Sequence, residues 1–341
     1  MLAWKKHNGQ YGLVKTEAEV PEIKADEVLV KVLATGICGT DFGIYKGYRE
    51  VPEGLIPGHE FIGEIIAKGD EVEGYEVGDK VVPSIVVKCG TCPACLDGYE
   101  AQCENLTEIG IHFDGSFAEY VAVPQVALHK VADDIDPVVG ASIEPVAVAY
   151  SAVKKVEQFI AGKDVLIAGP GAIGLYTAQI AALAGAGTIL MSGTAADEAR
   201  LRLAADQYGV ETVVDDGEGS VKKKMEECFK YGKADIVFEC TGVAQLIGGL
   251  LPLLRPHGEL VLVGVYHDDS TVNFLPAGRG ELTIRGTFCY TLSEFEYAIR
   301  LVELGRINFT GIVETTELAR LDEGFERTMS KEAIKIVACS R

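Results

Sequence analysis

The sequence lacks the features of a membrane protein or a nucleic-acid-binding protein. No stretch reaches the roughly 18 uninterrupted apolar residues that a membrane-spanning helix requires, and the opening Met1 to His7 has no apolar core of a signal peptide. Positive charge is scarce, because 31 Lys and Arg stand against 51 Asp and Glu and give a formal net charge of −20. Such a surface repels phosphate backbones and anionic lipids. We therefore expect a cytoplasmic protein with neither a membrane nor a nucleic acid as partner.

The chain also has no internal repeat, no low-complexity tract and no long linker. At 341 residues, of which 48% are hydrophobic, it exceeds the ~250–300 residues at which single cores stop growing. We therefore expect two closely joined domains with a cleft between them. The chain has nine cysteines, and in a reducing compartment their close spacing favours metal binding over disulfides.

The hydrophobic pattern changes near residue 150. Before it, short apolar runs such as 28–33 and 61–66 are bounded by Gly, Pro and acidic residues, which predicts a β-rich first half resembling a small barrel. After it, strands and helices alternate, beginning with a strand at 164–168 and a helix at 173–184. Further strands are predicted at 188–191, 235–239, 260–265 and 282–288. This alternation is typical of a parallel, doubly wound sheet, and we expect the remainder, a helix at 292–304 and strands at 312–314 and 334–337, to return to the first domain.

Four cysteines fall within fifteen residues in the pattern Cys-x2-Cys-x2-Cys-x7-Cys; they are Cys89, Cys92, Cys95 and Cys103. This spacing lets one short loop place four thiolates tetrahedrally around a single zinc ion. The sequence therefore predicts a zinc lobe at about residues 86–105.

A second metal site is predicted from residues farther apart in the chain. Cys38 follows a predicted strand directly, and His59 stands at the mouth of the next apolar run. A catalytic zinc needs three protein ligands and one open position. We assign Glu144 as the third ligand, because a carboxylate in an apolar stretch is costly to bury unless it is paired or binds a metal; Glu60 is the rival. Asp41 is predicted to accept the second N–H of His59. For either residue taken alone, the favoured interpretation is a buried inert cysteine or a histidine with satisfied hydrogen bonds.

A glycine-rich turn follows the first strand of the second half and opens a helix; its residues are Gly169, Pro170, Gly171, Ala172, Ile173 and Gly174. In this context glycines permit a tight turn and let backbone N–H groups meet a pyrophosphate at the helix N-terminus. An ordinary glycine-rich turn is the alternative. Because the later strand–helix units agree with the motif, we expect a dinucleotide to bind here.

The choice between NAD and NADP stays open, with an inclination to NADP. An NAD-binding unit normally ends its second strand with an acid that binds the ribose, but the residues there are Ser192, Gly193 and Thr194. In the following loop, Asp197 and Glu198 argue against a 2′-phosphate, whereas Arg200 and Arg202 argue for one.

Over essentially its whole length the chain resembles the zinc-containing medium-chain dehydrogenases, which include alcohol, sorbitol, butanediol and threonine dehydrogenases. The shared elements are Cys38-Gly39-Thr40-Asp41, Gly58-His59-Glu60 with Gly63 and Gly69, Val77 to Val81, the four-cysteine lobe, Glu144-Pro145 and the glycine loop. The resemblance implies a GroES-like β-rich catalytic domain (1–149), a Rossmann doubly wound cofactor domain (150–287) and a return to the catalytic domain (288–341). It also implies a homo-oligomer, either a dimer or a tetramer.

The resemblance implies roles for single residues. Cys38, His59 and Glu144 are expected to hold a catalytic zinc, with Glu60 beside it as an alternative ligand. The four-cysteine lobe is expected to hold a structural zinc. Thr40 is expected to contact the substrate oxygen and begin a proton relay. Tyr45 and Tyr290 match positions that border the substrate pocket in the sorbitol branch.

Two positions depart from the family pattern. Many relatives carry a proton-relay histidine where this chain has Gly43, and sorbitol dehydrogenases carry an arginine where it has Cys289.

We expect a zinc-dependent NAD(P) dehydrogenase that acts on a secondary alcohol of the polyol or sugar type, since Glu144-Pro145 resembles the polyol branch. A 2,3-butanediol or L-threonine dehydrogenase is the alternative. A relative that has lost its catalytic zinc and a zinc-stabilised nucleic-acid-binding module are weaker interpretations, the second because of the acidic charge.

Overall fold

The structure is a computed structural model that describes residues 1–340. The strands are β1 Leu2–Lys5, β2 Val14–Glu17, β3 Glu27–Gly36, β4 Glu60–Lys68, β5 Lys80–Pro83, β6 Val86–Val87, β7 Thr107–Glu108, β8 Tyr120–Pro124, β9 Leu128–Lys130, β10 Val165–Ala168, β11 Ile189–Gly193, β12 Glu211–Val214, β13 Ala234–Glu239, β14 Leu254–Leu262, β15 Thr283–Gly286, β16 Val313–Glu317 and β17 Lys335–Cys339. The helices are α1 Gly39–Lys46, α2 Pro93–Leu96, α3 Pro137–Gly140, α4 Ile143–Lys154, α5 Ala172–Leu183, α6 Glu198–Tyr208, α7 Ser220–Cys228, α8 Ile247–Leu250, α9 Leu275–Gly280, α10 Leu292–Glu303 and α11 Leu321–Met329.

The chain forms two compact units, and the first of them is discontinuous in sequence. One unit contains residues 1–147 together with the chain from Cys289 onward, and the other contains Val148–Phe288. Among the described residues, no helix combines the length and the apolarity needed to cross a membrane.

The first unit is built on a seven-stranded sheet in the order β16-β17-β3-β4-β5-β9, with β8 pairing with β3. Strand β3 is central because it pairs antiparallel with β4, β8 and β17. Its even-numbered residues from Val28 to Ala34 are fully buried, as expected for a strand whose alternate side chains face a core. The strands β16 and β17 thus bring the later segment of the chain into the sheet that carries β3 and β4.

The second unit is a parallel sheet in the order β12-β11-β10-β13-β14-β15. This is the strand order of a doubly wound dinucleotide-binding fold, in which ligands bind at the carboxyl ends of the strands where the order reverses. The reversal lies between β10 and β13, which are both buried along their whole length. The prediction of a doubly wound parallel sheet is confirmed.

Candidate active site

The first candidate ligand, Cys38, lies between β3 and α1 in the first unit. Its backbone N–H donates to Asp41 Oδ2 at 2.9 Å, so the first turn of α1 fixes the thiol position. Burial raises the pKa of the Cys38 thiol to about 11, although a backbone hydrogen bond from Thr40 and the charge of Lys335 oppose the rise. A thiolate at this position therefore requires a strong nearby cation.

Three candidate ligands converge at this point. Ligand atoms of Cys38, His59 and Glu60 lie within 4.8 Å of one another, and both His59 and Glu60 are almost fully buried. Asp41 Oδ1 lies 3.6 Å from His59 Nδ1, which leaves Nε2 as the nitrogen directed to a metal. Among the described residues, His59 Nδ1 and Asp41 Oδ1 have no hydrogen-bond partner. A thiol, an imidazole and a carboxylate form a donor set that fits zinc.

Glu144, predicted from the sequence as the third ligand, lies in the first turn of α4 and is only 6% exposed. It is not part of the three-residue group that shares the 4.8 Å radius. It nevertheless lies near that group: burial raises the pKa of Glu144, while the charge of His59 and a hydrogen bond with Tyr290 lower it. The choice between Glu60 and Glu144 as third ligand therefore stays a prediction.

Lys335 is a site residue that the sequence did not single out. Its ammonium group forms a buried ion pair with Glu60 Oε2 and donates to Ile37 O at 2.8 Å. The two side chains of the pair are 4% and 2% exposed. Burial lowers the pKa of Lys335 to about 8. The only sequence signal was a lysine at the start of the apolar run of β17, whose residues 335–338 are all buried.

The four predicted lobe cysteines also meet, because Cys89, Cys92, Cys95 and Cys103 form the second group whose sulfur atoms lie within 4.8 Å of one another. Cys92 Sγ lies 3.4 Å from Cys95 Sγ and 3.9 Å from Cys103 Sγ. The N–H groups of Cys89 and Asn105 donate to Cys103 Sγ at 3.3 and 3.4 Å, as expected around a thiolate that binds a metal. Four sulfur donors in this arrangement fit a structural zinc with no open position.

In the second unit the glycine loop connects β10 to α5 with its glycines closely packed. Gly169 has φ of +106°, and a Cβ there would lie 2.8 Å from Thr241 Cγ2. A Cβ on Gly174 would lie 2.0 Å from Gly169 O, so only glycine permits this contact between helix and strand. The N-terminus of α5, capped by Gly171, is then open to a pyrophosphate.

The loop after β11 contains the predicted ribose-binding residues. Asp197, which the sequence offered as an acid against a 2′-phosphate, is 5% exposed and accepts from Thr194 N at 3.1 Å and Thr194 Oγ1 at 2.7 Å. Arg200 Nη1 lies 3.9 Å from Asp197 Oδ1. Asp197 therefore caps the short 3-10 helix Ala195–Asp197, and the guanidinium group of Arg200 lies close to its carboxylate.

Comparisons with known proteins agree with this geometry. Residues 24–133 match the family described as alcohol dehydrogenase GroES-like domain, and residues 172–303 match the family described as zinc-binding dehydrogenase. A sorbitol dehydrogenase from Halalkalibacterium halodurans is 31% identical over 98% of this chain and 97% of its own length. The chain belongs to the zinc-containing alcohol dehydrogenase family. The first unit of this dehydrogenase is accordingly GroES-like, and the second is Rossmann-like.

Two further relatives represent other members of the family. An L-threonine 3-dehydrogenase from Idiomarina loihiensis is 29% identical over 99% of both chains. The solved structure of a zinc-binding dehydrogenase from Sinorhizobium meliloti, bound to NADP, has a TM-score of 0.87 and 32% identity, and the match covers 99% of this chain and 98% of that one. Zinc and a nicotinamide dinucleotide are thus the cofactors of the dehydrogenase fold seen here.

The two tyrosines predicted to border the substrate pocket of the dehydrogenase lie in different surroundings. Tyr290 is 1% exposed, accepts from Ile85 N at 3.3 Å and interacts with Glu144. Tyr45 stacks on Phe325 with ring centroids 4.4 Å apart and belongs to a hydrophobic core cluster. The structure thus brings Tyr290 beside a candidate metal ligand and packs Tyr45 into the core of the same unit.

Proposed function

We propose that this chain is a zinc-dependent oxidoreductase that transfers a hydride between a secondary alcohol, of the polyol or sugar class, and NAD(P). The observation that carries the proposal is the convergence of Cys38, His59 and Glu60 within 4.8 Å, with Glu144 beside them. Membership of the zinc-containing dehydrogenase family and the likeness to a sorbitol dehydrogenase support the polyol class. L-Threonine and 2,3-butanediol remain the alternative substrates.

Different residues of this chain have different roles in the proposed reaction. Zinc, when bound, supplies a Lewis acid that lowers the pKa of a substrate hydroxyl, as it lowers that of water from 15.7 to roughly 7. The Asp41 carboxylate lies 3.6 Å from His59 Nδ1, which leaves Nε2 for the metal position. Lys335 pairs with Glu60 and neutralises its charge. The Glu60 carboxylate can therefore lie close to the metal position without adding a net charge to it. To Thr40, at the start of α1, we assign the role of receiving the hydroxyl proton and passing it towards solvent.

The proton path has no histidine at its expected position. Gly43 occupies that place, and the backbone N–H of Arg49 donates to its carbonyl at 3.0 Å. We therefore assign the outward transfer from Thr40 to water. The glycine loop of the second unit would hold the pyrophosphate of the cofactor, whose nicotinamide ring would supply the hydride acceptor.

For the cofactor we favour NADP. The Asp197 carboxylate accepts from Thr194 N and Thr194 Oγ1, and Ser192, Gly193 and Thr194 carry no carboxylate, so the acid that usually binds the ribose at the end of the second strand is missing there. Arg200 brings a cation to that loop, with Nη1 3.9 Å from Asp197 Oδ1. An Arg200→Ala variant is expected to raise KM for NADP by about tenfold or more and to leave KM for NAD almost unchanged. Equal changes for both cofactors would contradict the assignment.

We also place the enzyme in the cytoplasm as a homo-oligomer, on the expectation from its family and from its reduced, metal-binding cysteines. Size-exclusion chromatography with light scattering measures the assembly directly. A monomer at working concentration would overturn that part of the proposal.

The test of the function combines metal content with turnover. Zinc per chain is measured on the purified protein, and NADH or NADPH formation is followed with polyols, sugars, 2,3-butanediol and L-threonine. Two zinc ions per chain and turnover of a polyol are expected. A Cys38→Ser variant should keep the fold and one zinc but lose turnover. Full activity of that variant, or a wild-type protein with one zinc and no turnover, would refute the proposal.

A further inference from the structure

A charged pair stands beside the metal group and has no part in the chemistry described above. Arg49 Nη2 lies 3.5 Å from Glu108 Oε2, and the two side chains are 39% and 10% exposed. His112 completes the group, because its Nδ1 accepts from the Glu108 N–H at 3.0 Å and lies 3.8 Å from the Glu108 carboxylate.

The backbone places this pair at the rim of the candidate metal site. The turn that follows Glu108 packs on the turn that precedes His59, since a Cβ on Gly110 would lie 2.4 Å from Gly58 O. On the other side, the chain between α1 and Arg49 folds back so that the Arg49 N–H donates to Gly43 O at 3.0 Å. Arg49 therefore stands over the position where many relatives carry their relay histidine.

The charges of the pair act on residues close to the candidate metal ligands. Burial raises the pKa of the Cys289 thiol, the charges of Glu144 and Glu108 raise it further, and the charge of Arg49 opposes them. Burial also raises the pKa of Glu144, and Glu108 is among the groups that add to that rise. Glu108 thus lies close enough to Cys289 and Glu144 for its charge to act on both, and the charge of Arg49 also reaches Cys289.

The pair has hydrogen-bonding capacity beyond its own contact. A guanidinium carries five N–H donors and a carboxylate has about four acceptor positions, whereas the contact between Arg49 and Glu108 is single and long at 3.5 Å. Arg49 is a partly exposed donor, and the almost buried Glu108 beside it is an acceptor. Together they match a hydroxyl group, which both donates and accepts.

We propose that Arg49 and Glu108 bind a hydroxyl group of the substrate next to the reacting carbinol, and so select a neutral polyhydroxy alcohol over a simple secondary alcohol. The inference rests on the proposed function and assigns its specificity to these two residues. Glu108 accepts from the substrate hydroxyl, and Arg49 donates to it.

The charges around the site favour a neutral substrate over an anionic one. Negative groups outnumber positive ones there even when a bound zinc ion is counted. The carboxylates of Asp41, Glu60, Glu108 and Glu144 and the Cys38 thiolate would carry five negative charges, whereas Arg49, Lys335 and the zinc ion would carry four positive charges. A phosphate or carboxylate on the substrate would meet Glu108 at close range, and like charges in a partly buried site repel strongly. A polyol carries no such charge.

The experiment measures binding and turnover separately on the zinc-loaded enzyme. Wild type, Glu108→Gln and Arg49→Met are compared for binding of D-sorbitol, xylitol and 2-butanol by isothermal titration, and for kcat/KM with each alcohol. Glu27→Gln is the control, because Glu27 is also a buried carboxylate paired with a cation, the exposed Lys24, at 2.8 Å. Glu27 begins β3 whereas Cys38 follows its end, about 30 Å along a ten-residue strand.

Each site variant is expected to bind polyols about tenfold to a hundredfold more weakly, the loss expected for a hydrogen bond to a charged group. Binding and turnover of 2-butanol, which has no second hydroxyl, should change little, and the control variant should resemble wild type. The proposal would be overturned if both site variants bound polyols as tightly as wild type does. A wild type that binds no polyol, or one that prefers sorbitol 6-phosphate or L-threonine, would also overturn it. Polyol binding without any dehydrogenation would refute the proposed function and leave this inference standing.

Discussion

The buried ion pair between Lys335 and Glu60 predicts a large and conditional loss of stability. In a Lys335→Met variant the Glu60 carboxylate keeps its buried position but loses its cation. Removal of one partner from a buried pair costs about 3–5 kcal/mol, because the remaining charge is uncompensated. Both side chains are at most 4% exposed, so solvent does not screen the loss. We expect this full cost in the zinc-free protein and a smaller one in the zinc-loaded protein, where the metal lies close to the carboxylate.

The assay is urea unfolding followed by the fluorescence of Trp4, the single tryptophan of the chain. Trp4 is 3% exposed and donates to Leu318 O at 2.8 Å, so it reports on the unit that contains the pair. The double variant Lys335→Met, Glu60→Gln should recover most of the loss, since it removes both charges. An Arg320→Met variant of an exposed pair with Glu323 serves as control and should cost less than about 1 kcal/mol. The reasoning would be refuted if Lys335→Met lost no more stability than the Arg320→Met control, or if the double variant recovered none of the loss.

Three further predictions follow from features of the two units. A Cys103→Ser variant should retain one zinc per chain and lose several kcal/mol of stability, because a structural zinc site contributes its binding energy to folding; unchanged zinc content by mass spectrometry would contradict this. A Gly174→Ala variant should raise KM for the cofactor by about a hundredfold, since its Cβ would displace the Gly169 carbonyl and misplace the pyrophosphate loop; the far-UV circular dichroism spectrum checks that the fold remains. Burial lowers the pKa of His129 below its ordinary value of 6.5, although the hydrogen bond with Glu296 acts in the opposite direction. The stability that the neutral ring contributes is therefore present above pH 6.5 and is lost as the pH falls below that value. Urea midpoints at about pH 7.5 and about pH 5.5 should differ less in His129→Gln than in wild type, and an equal difference would contradict the assignment.

Local patterns in the sequence were sufficient to predict the elements whose chemistry depends on spacing. The four-cysteine lobe lies within fifteen residues, so its convergence needed no knowledge of the fold. The glycine loop lies between one strand and one helix, and its close contact between Gly169 and Gly174 follows from the motif itself. The alternation after residue 150 likewise predicted the parallel sheet that the structure shows.

Contacts between distant segments were not predictable in this way. Glu60 and Lys335 are 275 residues apart, and only the pairing of β17 with β3 brings them together. Nothing in the sequence around Arg49 indicated Glu108, because their meeting depends on how two turns pack around Gly58 and Gly43. The choice between Glu60 and Glu144 depends on distances of a few ångströms, which a pattern of residue types does not contain.

The discontinuity of the first unit sets an order of events during synthesis. Cys38, His59 and Glu60 are made early, but the lysine that neutralises Glu60 arrives only after the whole cofactor unit has been translated. Until β17 takes its place beside β3, the edge of that central strand is open and the Glu60 carboxylate lacks its cation. The nascent chain therefore carries metal-binding groups before it carries the sheet that shields them. A metal ion taken up at that stage meets a more anionic and more accessible set of ligands than the one in the finished protein.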